Sequence, residues 1–114
     1  NIFKTDVKML EIALAAAKQA ELSVNIFTGR VVSGDQFISS KDKKKWLVDT
    51  FDGTCTEMEG ASIGHVSTMN KVPYLVIRAI SDKADDSAEM DYPSFAAMAI
   101  NNSVALMTEF IKLC

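Results

Sequence analysis

Glu57 and Glu59 flank Met58 where a short β-prone run, residues 54–58, passes into the small residues Gly60, Ala61 and Ser62. If Met58 continues the strand, both carboxylates share one face and Met58 points the other way. A carboxylate accepts paired hydroxyl hydrogen bonds, so either glutamate has the chemistry to hold the vicinal hydroxyls of a sugar. The plainer role for Glu59 is to favour the positive N-terminus of the helix that follows. Asp82 comes directly after the apolar run 74–80 and Ser81. A carboxyl group at the end of a covered strand is partly desolvated, which favours its protonated form. A protonated acid donates to a ring nitrogen, and that is general-acid chemistry; the plainer role is a turn or helix cap. Arg78 falls on the same side of the run as Ile80 and Asp82 by period-two counting. A buried arginine there needs a carboxylate partner, Glu57 or Glu59, and removing it would strand that partner and threaten folding.

Other chemistry-bearing residues say less. His65 lies in a helix-like segment with no Ser or Cys partner arrangement, so a packed helix histidine is expected. Two cysteines, Cys55 and Cys114, one histidine and no CxxC give neither a disulfide framework nor a zinc site. Reduced thiols of this kind fit a cytoplasmic protein. Most methionines read as core filler, Met58 being the exception by position. Tyr92 and Phe95 border a polar loop, where they either close over a flat apolar ligand or cap the core. The run Lys41-Asp42-Lys43-Lys44-Lys45 reads as a solvated turn or helix face. A net charge of −3 excludes an extended nucleic-acid surface, which needs a basic excess. No apolar stretch reaches the length of a membrane span.

These residues need a frame. Residues 5–20 repeat apolar side chains at helical spacing, with Thr5 or Asp6 as N-cap. Residues 24–32 alternate loosely and are β-branched, predicting a strand that ends in the turn Ser33-Gly34-Asp35. A short helix over 43–50, a strand over 54–58 and a helix over 60–70 follow; the small residues of that helix permit close packing on a sheet. Pro73 opens a continuously apolar run, 74–80, as expected of a parallel strand covered on both faces. An acidic loop over 83–91 leads to Pro93, suited to the first turn of a final helix ending near Leu113. Such alternation predicts an α/β fold: a mostly parallel, mixed sheet flanked by helices, in a single unit. In such sheets ligands gather beyond the carboxyl ends of the strands, and three polar clusters of this chain fall there.

Those clusters, taken together, resemble a known family. Ser33-Gly34-Asp35-Gln36-Phe37-Ile38, Glu57-Met58-Glu59-Gly60-Ala61 and Arg78-Ala79-Ile80-Ser81-Asp82 are similar in order and spacing to the 5′-methylthioadenosine/S-adenosylhomocysteine nucleosidases. The Glu-Met-Glu and Ser-Asp elements are shared with purine nucleoside phosphorylases, whereas the set of Gly-Asp-x-Phe-Ile with Arg-Ala-Ile-Ser-Asp points strongly to a resemblance with the nucleosidase branch. The resemblance implies the C-terminal half of one nucleosidase domain over residues 1–114, with the N-terminal half absent. It implies that Phe37 stacks on adenine, that the Ile38 backbone reads the base edge, and that Met58 and Glu59 contact the ribose. It makes Asp82 the acid at N7, helped by Ser81, and sets Tyr92 near the ribose and its 5′ group, with Glu57 and Arg78 supporting. It implies a homodimer that needs no cofactor or metal and serves methionine salvage. The family's water-activating glutamate falls in the absent half, so the 114 residues alone are expected not to turn over. A phosphorylase of the same fold and a non-catalytic nucleoside-binding fragment are the alternatives.

Overall fold

A computed structural model describes residues 1–81 and 92–114, and Asp82 with the acidic loop 83–91 lies outside the described residues. Its elements are α1 (Val7–Gln19), β1 (Val31–Ser33), α2 (Lys41–Phe51), β2 (Cys55–Glu57), α3 (Gly60–Met69) and α4 (Tyr92–Leu113). Asp6 rather than Thr5 caps α1, its carboxylate accepting from the Met9 N–H at 2.8 Å. Thr5 is used otherwise. Its hydroxyl and the Asp6 N–H both donate to the Tyr74 carbonyl, at 2.8 and 3.0 Å, which ties the start of α1 to the distant segment 74–80.

Alanines form the buried stripe of α1. Ala13, Ala16 and Ala17 pack against Leu106 and Phe110 of α4, with Met9, Ile12, Leu22 and Leu75 at the margin. Side chains this small let the two helices approach closely. The same logic holds α3 near segment 74–80: a Cβ at Gly64 would stand 2.9 Å from the Tyr74 Oη.

β1 and β2 are parallel neighbours in a two-stranded sheet, joined by α2. Ser40 caps α2, accepting from the Lys43 N–H, and Asp52 ends it in the left-handed region at φ 54°. Asp tolerates that conformation, and the chain turns there into β2. The lysine run forms an exposed part of α2, with Lys43 bound to Gln36 and Lys45 to Asp49. The register pairs Val31 with Cys55, Val32 with Thr56 and Ser33 with Glu57.

Two expected strands differ from the structure. β1 is confined to Val31–Ser33, so only the last part of the alternating run 24–32 is a strand, and Ser33 belongs to it rather than to the turn. Segment 74–80 pairs with no strand among the described residues. Alternation and apolar content report how a segment is covered, but a ladder needs a second backbone in register, and here the Tyr74 carbonyl is taken up by Thr5 and Asp6. Several apolar faces are open among the described residues: Ile63, Val66 and Met69 on α3, Ile77 and Ile80 on the following segment, and Ile100 and Val104 on α4 are exposed. No described helix is long and apolar enough to cross a membrane.

Candidate functional site

The last rung of the sheet brings together the residues that matter. Ser33 and Glu57 stand opposite each other at the carboxyl ends of two parallel strands, and the Gly34 N–H donates to the Glu57 carbonyl at 3.2 Å. Registered side chains of parallel strands share a face, so the Ser33 hydroxyl reaches the Glu57 Oε1 and donates to it. The other carboxylate oxygen, Oε2, accepts from the Glu59 N–H at 2.9 Å and the Gly60 N–H at 2.7 Å. The Ser33 Oγ in turn accepts from the Ala61 N–H at 2.8 Å. Three of the free N–H groups at the start of α3 are thus satisfied by two side chains from the sheet.

The role expected of Glu59 at the helix start therefore belongs to Glu57. β2 ends at Glu57, Met58 does not continue it, and Glu59 sits at the N-cap position without a side-chain cap bond. The two carboxylates consequently do not share an environment: the Glu57 side chain is 3% exposed and that of Glu59 62%. Arg78 connects them, its Nη1 lying 3.5 Å from Glu59 and 3.9 Å from Glu57. It is not the buried arginine expected from the sequence, being 43% exposed, because it reaches from segment 74–80 across the open end of the sheet.

Electrostatics follow this geometry. Burial alone pushes the Glu57 carboxyl up, but the Ser33 hydroxyl, the Glu59 and Gly60 amides and the Arg78 guanidinium together outweigh it and hold the group below its ordinary value. Glu57 is a fixed, buried anion. The half-buried Cys55 thiol, on the same strand, is pushed up by burial and by the Glu57 charge, against a smaller opposite pull from Arg78. Arg30 is engaged structurally, its guanidinium donating to the Phe51 carbonyl at 2.6 Å.

An open trough of about 1570 Å³ extends from α1 past both strands and segment 74–80 to α4; it touches Ser33, Ile38, Gly60 and Arg78, while Glu57, Met58 and Glu59 are not part of its lining. It exceeds the ~300–1,000 Å³ of a closed small-molecule pocket. Ile38 is buried in its wall, while neighbouring Phe37 is largely exposed and Met58 about half exposed. Ser81 is partly buried at the last described position before Asp82. Tyr92 begins α4, but its side chain, like Asp82, lies outside the described residues. His65 does not join the site; it stacks on Phe3 with ring centroids 5.1 Å apart. No cluster of three or more potential metal ligands occurs among the described residues. Sequence reading missed Ser33 as a partner of Glu57. The signal was present only in the pairing of two strands, which the local pattern does not carry.

Comparison with known proteins supports this architecture. The profile of the Phosphorylase superfamily matches residues 1–112. An aminodeoxyfutalosine nucleosidase of Campylobacter jejuni is 38% identical over 112 residues, covering 97% of this chain and 46% of that protein. The native structure of futalosine hydrolase of Helicobacter pylori superposes with a TM-score of 0.86 at 31% identity, over 98% of this chain and 47% of that one. The Neisseria meningitidis 5′-methylthioadenosine/S-adenosylhomocysteine nucleosidase, in complex with methylthio-immucillin-A, gives 0.87 at 31% identity, over 98% and 48%. The chain spans about half the length of the curated relatives it matches. Two parallel strands ending in paired polar side chains, flanked by helices and matched almost end to end by one profile, place this chain in the Phosphorylase superfamily, among relatives that are nucleosidases.

Proposed function

We propose that residues 1–114 are the C-terminal half of a nucleosidase that hydrolyses the N-glycosidic bond of adenosine 5′-thioethers, 5′-methylthioadenosine and S-adenosylhomocysteine, releasing adenine. The observation that carries this reading is the pair of unlike carboxylates at one strand end: Glu57 buried and internally satisfied, Glu59 exposed and paired among the described residues with Arg78. An exposed carboxylate with an arginine 3.5 Å away is suited to accept the two ribose hydroxyls while Arg78 steadies its charge. In the proposed reaction the bond from the sugar C1′ to the purine N9 breaks and a water oxygen bonds to C1′. Asp82 donates a proton at N7, so adenine leaves neutral while positive character on the sugar develops near Glu59. The water gives its proton to a base outside these 114 residues. Phe37 stacks on the base, the Ile38 backbone meets its edge, Met58 packs on the ribose, Ser81 assists Asp82, and Tyr92 adjoins the 5′ group. The intact protein is proposed to act as a cytoplasmic homodimer without a cofactor.

A second substrate has its own support: the curated relatives compared are aminodeoxyfutalosine nucleosidases, of Campylobacter jejuni and Helicobacter pylori. On the proposed reading the same half-site serves either nucleoside. Adenine release by the intact protein from each nucleoside, with and without phosphate, tests the reading. Release without phosphate is expected; a strict phosphate requirement would make it a phosphorylase, and no release from any of them would refute an enzyme role.

A further inference from the structure

We propose that Ser33 is a positioning residue that, through Glu57, fixes the backbone from which Glu59 meets the sugar. The proposal rests on the reading of Glu59 as acceptor of the ribose hydroxyls and deepens it. Glu59 makes no cap bond with its own side chain, and its carboxylate is largely exposed. Its placement therefore depends on its backbone and on Arg78. That backbone is held from the sheet: the Glu59 and Gly60 amides both donate to the Glu57 Oε2, and the Ala61 amide donates to the Ser33 Oγ.

Ser33 closes this arrangement. Glu57 has a flexible side chain, and two amides on one oxygen do not fix the rotation of its carboxylate. The Ser33 hydroxyl, donated to the other oxygen, does. The same Oγ receives the Ala61 amide, so a single hydroxyl orients both the carboxylate and the first turn of α3. Residue type follows from this double use: the position needs a group that donates and accepts on a short stem, which serine and threonine supply and alanine does not. The strand register sets the distance, since Ser33 and Glu57 are direct partners.

The test compares a ribonucleoside substrate with its 2′-deoxy counterpart in the intact protein. Ser33→Ala is expected to raise KM for the ribonucleoside about ten-fold, the scale of one hydrogen bond to a charged group. For the 2′-deoxy substrate, which lacks one hydroxyl that Glu59 would accept, the variant-to-wild-type penalty should shrink to about three-fold or less. Ser33→Thr, which keeps the hydroxyl, should restore most of the loss. With Glu59→Gln already present, adding Ser33→Ala should cost little more, as for residues acting through one another. Equal penalties on the two sugars, or losses that multiply in the double variant, would overturn the proposal while leaving the nucleosidase reading intact. A wild-type protein that cleaves neither sugar would refute both. If Ser33→Ala does not fold, Glu57→Gln serves in its place: it keeps the side-chain shape, and a penalty confined to the ribonucleoside supports the inference while an equal one overturns it.

Discussion

The carboxylate of Glu57 occupies the space that a side chain at Gly60 would need. A Cβ on residue 60 would lie 2.8 Å from the Glu57 Oε1 and 3.1 Å from its Cδ. Close approach of a carboxylate held by amides and a hydroxyl, rather than an unusual backbone angle, favours glycine there. Gly60→Ala should push the carboxylate off the Glu59 and Gly60 amides and cost about 1–3 kcal/mol, the scale of leaving buried groups unpaired. Urea denaturation measures this; a midpoint that is unchanged or higher would show that the carboxylate moves aside freely.

Acid should weaken the fold through the same residue. The Glu57 carboxyl is held below its ordinary 4.5 in the folded state, so the unfolded chain binds its proton first as pH falls. Its contribution is complete well above 4.5 and disappears as pH drops through the folded value. Stability measured against pH should therefore decline below 4.5 in the wild type, and more gently in Glu57→Gln. Parallel slopes would assign the acid sensitivity elsewhere.

Arg78→Ala is expected to leave the fold standing. The arginine is partly exposed, and without it Glu57 retains the Ser33 hydroxyl and two amides. A loss of about 1 kcal/mol or less suits partly solvated pairs at this spacing. The larger effect should be on KM of the intact enzyme, since Glu59 loses its charged neighbour. Failure to fold would restore the buried-arginine expectation.

Asp82→Asn in the intact protein preserves shape but removes the acid. Turnover should fall about 10²–10⁴-fold with a smaller change in KM, the range for loss of a general acid. Near-normal kcat would move the proton-donating role to another group.

The two thiols should separate in a labelling experiment. Cys55 is half-buried with its thiol pushed above the ordinary 9.0, whereas Cys114 is exposed. Because the thiolate is the reactive species, a disulfide reagent at pH 8 should modify Cys114 first and Cys55 at least about ten-fold more slowly. Cys114→Ser should abolish the fast phase. A fast phase that persists would place Cys55 in an open, ionised setting.

Helices were legible because their signals are local. Helical spacing over residues 5–20 and 60–70, and Pro93 at the start of the last helix, agree with α1, α3 and α4 to within a few residues. The glutamates and Arg78 were legible as candidates by residue type and position. What the local pattern did not carry was partnership. The same alternation that yields a strand at Val31–Ser33 yields none over residues 24–30, since pairing depends on a distant backbone. The exchange of roles between Glu57 and Glu59 has the same origin. It depends on where β2 stops, and that is decided by the grip of Ser33 and the α3 amides on Glu57.

The seam between α1 and α4 bears on the order in which the molecule forms. The bond from Thr5 to Tyr74 joins residues 69 positions apart, Asp6 binds the same carbonyl, and the alanine stripe of α1 finds Leu106 and Phe110 still later in the chain. Contacts of such long range slow folding, because the entropy of loop closure must be overcome before burial rewards it. On the ribosome α1 emerges before α4 and waits through the synthesis of the residues between them for its packing partner. Burial of the alanine stripe thus lags well behind synthesis of the helix that carries it.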